Sequence, residues 1–196
     1  MTAQIRKWQT EHANYRKLLD LLQALTVPLV RGEDPDYDLM ADIVYYMTQY
    51  PDRYHHPRED VAFRRLLPHD PEAETLIAAL ADEHRSIAES GAKLAADLGA
   101  AAAGTMMPRA TLQADVLDYT NFLKDHMAIE EREIFPRLAA SLGDEEWFLV
   151  DSAIHFAWDP IFGDTVQDRF KSIHRRIADQ AGCGCKEPAE AACCLE

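Results

Sequence analysis

Four stretches of this chain carry apolar residues at helical 3-4 spacing, and each stripe is interrupted by a histidine. In the first, Ile5, Trp8, Tyr15, Leu19 and Leu22 share a face and His12 fills the remaining place in the pattern. A later stretch repeats it with Ile77, Leu80, His84, Ile87, Gly91, Leu94 and Leu98, opened by Asp70 as N-cap with Pro71 at the first helical position. The last carries Leu112, Val116, Tyr119, Leu123, His126, Glu130, Ile134 and Leu138, starting near Pro108 and stopping near Gly143. Between the first two, Asp34-Pro35 opens a segment through Met40, Val44 and Met47 that ends near Leu67-Pro68, and its Pro51 and Pro57 predict kinks or a break.

Four amphipathic segments with short connections, and no β-type alternation longer than a few residues, point to an all-α fold. An up-down-up-down antiparallel four-helix bundle is the economical packing solution. An internal repeat strengthens this. His12 and His84 lie 72 residues apart and each follows a glutamate (Glu11, Glu83), while the pairs His55 with Glu59 and His126 with Glu130 lie 71 apart. Within each half the lone histidine precedes the His-x-x-x-Glu pair by 43 or 42 residues, enough to climb one helix, turn and return. All six side chains then converge at one depth.

Residues at i and i+4 share a helix face with Cβ atoms ~5–6 Å apart, so one helix can give an imidazole and a carboxylate to the same cluster. Two helices so equipped, plus two single histidines, suit two metal ions ~3.5–4 Å apart, spanned by both carboxylates. Imidazole with carboxylate fits iron, manganese or zinc, and burying the six groups without a cation would cost several kcal/mol (order of magnitude) in desolvation. His56 and Asp60 have the same spacing as His55 and Glu59, so two pairs compete for the second helix. The first is preferred, because it extends the stripe toward Ala62 and Leu66 and matches the fourth segment. Glu11 and Glu83 sit roughly 100° off the stripe, as surface groups or as partners of the ligands. Tyr15, Tyr45, Tyr46 and Tyr119 read as core that borders the metals, and His155 and His174 as solvent-facing or capping.

The expected organisation is a bundle over residues 1–142, a helical extension packing on it over 143–181, and a flexible tail over 182–196 that holds Cys183, Cys185, Cys193 and Cys194. In the extension, 144–156 reads as a short helix, 159–163 as a turn, and Val166, Phe170, Ile173 and Ile177 as one helix face. With every cysteine in the tail, no disulfide staples the core; the tail thiols match no defensible zinc spacing. The formal charge of −14 argues against nucleic acid and anionic membrane surfaces as partners. Lacking a signal-like apolar start or a run of ~20 apolar residues, the chain reads as cytoplasmic.

The motifs E-H-A-N-Y at 11–15, H-H-P-R-E at 55–59, E-H-R-S-I at 83–87 and H-M-A-I-E-E-R-E-I-F-P at 126–136 resemble the hemerythrin-like (HHE cation-binding) family, over residues 5 to 140 or so. The D-E-E-W and D-P-I-F-G stretches are similar to the C-terminal extension of a bacterial subgroup. The resemblance implies a non-haem centre of two iron ions on His12, His55, Glu59, His84, His126 and Glu130. It further implies binding of dioxygen or another small diatomic ligand, for oxygen or redox sensing or protection, and leaves a protein redox partner open. Oxygen-carrying members have a further histidine where this chain has Ala88 and an aspartate-ended pair where it has Glu130, so the pattern is closer to the four-histidine, two-glutamate members. Fewer protein ligands favour reactivity or exchangeable ligands over oxygen transport. Two alternatives stay open: an enzyme of nitric oxide or peroxide detoxification or iron-donating cluster repair, and a metal-stabilised interaction module. Ferritin-like storage is disfavoured, since that fold uses Glu-x-x-His pairs.

Overall fold

The computed structural model describes residues 2–155, 157–163 and 165–180. The tail with Cys183, Cys185, Cys193 and Cys194 lies outside them. Among the described residues all regular structure is helical. The first helix is Ala3–Ala24, capped by the Thr2 hydroxyl, which accepts from the Ile5 amide. The second joins Tyr37–Gln49, capped by Asp36, to a π-helical turn Pro51–His55 and a further stretch His56–Leu66. A 3-10 turn Pro71–Ala73 leads into the third, Glu74–Ala102. The fourth runs Arg109–Ile129, then a second π turn Glu130–Ile134, then Phe135–Ser141.

Each helix packs on the next and the fourth closes on the first. The buried positions of the third helix are the seven of its stripe, Ile77 through Leu98, and every stripe residue named for the fourth is buried. The prolines of the second helix bend its hydrogen bonding without breaking it. Pro57 follows His56, whose amide closes the first π turn on the Pro51 carbonyl; Pro136 follows Phe135, whose amide closes the second on Glu130. A proline inside an α-helix clashes with the carbonyl four residues back, and the wider i to i+5 turn relieves that clash.

Two apolar layers fill the bundle. One holds Trp8, Phe63, Leu80, Phe135 and Leu138; the other holds Leu18, Met40, Tyr46, Ile87, Leu94 and Val116. Along every helix the predicted ligands fall between them. The extension covers the outside: Asp144–Ala153 packs against His56–Leu66 and sets Trp147 edge-on to Trp8 at 5.6 Å. Lys171–Gln180 packs on the first and second helices through Ile173 and Ile177. His174 is buried there too, contrary to the expectation of a solvent-facing or capping residue, because it lies four residues after the buried Phe170 and so one turn along the same face; His155 is exposed. The 159–163 turn is tied to the bundle, since the Tyr46 hydroxyl donates to Asp159 Oδ2 while Asp159 Oδ1 accepts from the amides of Ile161 and Phe162. Among the described residues no helix is long and apolar enough to cross a membrane.

Candidate metal centre

His12, His55, Glu59, His84, His126 and Glu130 meet in the layer between the two apolar clusters, all buried. The first helix brings His12, the second His55 and Glu59, the third His84, the fourth His126 and Glu130. Of the competing pairs in the second helix, His55 and Glu59 enter the cluster as a pair, and Asp60 turns instead to His84.

Each carboxylate spans the two halves. Glu59 Oε1 lies 3.5 Å from His12 Nε2 and 3.2 Å from His55 Nε2, while its Oε2 lies 3.7 Å from His84 Nε2. Glu130 mirrors it, with Oε2 3.5 Å from His12 Nε2 and Oε1 3.4 and 3.2 Å from the Nε2 atoms of His84 and His126. None of these approaches has hydrogen-bond geometry, so all four carboxylate oxygens, with His84 Nε2 and His126 Nε2, are buried without a partner. Six orphaned donor atoms in one buried layer cost far more than a folded protein tolerates unless a cation takes them up.

The outward nitrogens settle which atoms face inward. His55 Nδ1 meets Glu11 at 2.7 Å, His126 Nδ1 meets Glu83 at 2.7 Å, His84 Nδ1 meets Asp60 at 2.8 Å and His12 Nδ1 meets Glu131 at 3.0 Å. An ionised carboxylate only accepts, so each Nδ1 carries the proton and donates, and each Nε2 turns its lone pair into the layer. His12 Nε2 and His55 Nε2 consequently face each other at 2.9 Å, a contact that needs a cation or an extra proton between them. Arg16 completes the shell by donating from both terminal nitrogens to Glu131.

The electrostatics say the same. Burial pulls the His55 and His84 imidazoles down, but the neighbouring carboxylates outweigh it and hold each up at about 10. His12 and His126 are raised by the same contest, with Glu131 and Glu59 prevailing at the first and Glu130 at the second. Burial drives Glu59 and Glu130 upward, and the surrounding imidazoles more than reverse it, so both stay ionised. The layer demands positive charge, as bound protons or as metal.

Glu11 and Glu83, placed off the stripe by their sequence position, are the partners of His55 and His126. Asp60 and Glu131 were missed in this role. They follow the two ligand glutamates by one residue and lie 71 apart, as the ligands do, so the repeat itself carried the signal. Of the tyrosines, Tyr15 borders the centre, its ring edge-on to His55 at 5.2 Å and its hydroxyl buried without a partner. Tyr46 and Tyr119 are core, and Tyr45 lies outside under the Arg169 guanidinium.

Among the described residues, three groups of side chains each bring one ligand atom per residue to within 4.8 Å of the others: His12 with His55 and Glu59, Glu59 with His84 and Glu130, and His56 with His84 and His126. Residues 3–138 match the family model for the hemerythrin HHE cation binding domain. No curated protein and no solved structure shows a significant match to the chain.

Proposed function

This chain belongs to the hemerythrin HHE cation-binding domain family, and from that premise we propose that His12, His55, Glu59, His84, His126 and Glu130 hold two iron ions that take up dioxygen or a related small ligand, for oxygen or redox sensing or protection. The observation that carries the reading is the pair of carboxylates, each with one oxygen toward the His12 and His55 side and the other toward the His84 side. A lone buried ion would need neither the second set of imidazoles nor two spanning carboxylates. Two irons so held, when bound, supply electrons and coordination positions that the protein leaves open.

The chain's own residues prepare that chemistry. Glu11, Asp60, Glu83 and Glu131 fix every imidazole in the tautomer with a free Nε2 and place negative charge behind it, which favours higher-valent metal. The apolar layers above and below exclude water. A surface groove lined by Asn14, Tyr50 and Asp159 reaches Glu11, the residue bonded to His55.

The test is anaerobic loading with ferrous iron, followed by titration with dioxygen or nitric oxide under absorption spectroscopy. The expected result is a saturable spectral change at about one ligand per iron pair. A loaded protein whose spectrum ignores both gases would contradict the reading and leave the metal a structural part.

A further inference from the structure

The two halves of the centre are related by the sequence repeat, but one residue breaks the relation. His56 follows His55, and the matching residue 71 positions on, after His126, is Met127. His56 is buried at 6% exposure, and its ring lies 4.5 Å from that of His84 and 5.9 Å from that of His126. The ligand pairs His12 with His55 and His84 with His126 have centroids 4.9 and 4.7 Å apart, so His56 stands among the imidazoles at the spacing they keep from one another. One nitrogen of His56 falls within 4.8 Å of those of His84 and His126, and the Nε2 atoms of the latter two are buried and unpartnered. On its other side, Asp52 Oδ1 lies 3.2 Å from His56 Nδ1, near it but without the hydrogen-bond geometry that ties the four other histidines to their carboxylates.

We propose that His56 is a third imidazole ligand to the metal held by His84 and His126. Resting on the two-iron reading above, it makes the positions unequal, with three imidazoles at one and two, His12 and His55, at the other. The open position for a small ligand then belongs to the His12 and His55 metal, beside Tyr15 and its unpartnered hydroxyl. The π turn Pro51–His55 is what makes this possible: its wider winding turns successive residues through a smaller angle, so adjacent His55 and His56 both face inward.

Iron-57 Mössbauer spectroscopy, with iron per chain measured on the same samples, tests this on wild type, His56→Gly and His56→Leu. Wild type should bind two irons as two quadrupole doublets of equal area. His56→Gly should shift one doublet, or lose about half the iron, while the other doublet is unchanged, and excess imidazole should restore the wild-type spectrum. If His56→Gly does not fold, His56→Leu, which refills the space without a nitrogen, should show the same single-site change. Both wild-type doublets persisting at two irons in the folded variant would overturn the role of His56 and leave the two-iron reading intact. Wild type binding fewer than two irons would overturn the two-iron reading, and the third ligand with it.

Discussion

At His12 and His55 two imidazoles meet Nε2 to Nε2 with both Nδ1 protons already donated to carboxylates. Asp60 and Glu131 illustrate why some of the centre was hard to read from the chain. A residue one place after a ligand lies about 100° around an α-helix, which ordinarily puts it on the surface, yet His56, directly after a π turn, is buried. His12, His84, His126 and Glu130 were legible because each fills a gap in an apolar stripe. Two results are expected here. Asp60→Asn and Glu131→Gln should each weaken metal binding about 10–100-fold in a competition assay, by loosening the ring whose Nε2 must bind. Titration gives the other: a histidine held at about 10 in the folded chain and near 6.5 in the unfolded one stabilises the metal-free protein fully below pH 6.5. That contribution disappears as pH rises from 6.5 through about 10, so thermal melts of metal-free protein should fall across this window. A metal-loaded sample, in which the cation replaces the protons, should not follow.

At the scale of the helices, the stripe over Ile77 to Leu98 located the third helix and its buried face from 3-4 spacing alone. The π turns left no mark in the apolar pattern, which continues on both sides of each; Pro51 and Pro57 signalled an irregularity in the second helix without its type. Gly91 and Gly99 separate packing from propensity within one helix. A Cβ on Gly91 would sit 3.0 Å from Thr48 Cγ2 and 3.2 Å from the Tyr119 ring, whereas nothing lies within 4 Å at Gly99. Gly91→Val should therefore push the second and third helices apart and cost about 1–3 kcal/mol. Gly99→Ala should stabilise by a few tenths to about 1 kcal/mol through the unfolded chain. Denaturant melts of the two variants report both signs.

For the whole molecule, the bundle was legible from the repeat and the packing of the extension on it from the apolar face of Phe170, Ile173 and Ile177, while its particular contacts were not. Trp147 against Trp8, and Tyr46 bonded to Asp159, are contacts between distant segments that no local period encodes. The molecule's charge also bears on the centre. In a chain of net charge −14, six carboxylates gather around four imidazoles, so removing metal leaves a buried excess of negative charge that only protons can offset. Chelated protein should melt well below loaded protein, and the gap should widen between pH 6.5 and about 10 as those protons leave. The most direct test of the account is the metal content of protein purified without air, by elemental analysis, with absorption spectra before and after air is admitted. The account predicts about two irons per chain and a near-ultraviolet charge-transfer absorption that appears on oxidation. A folded protein containing zinc, or no metal, would contradict it.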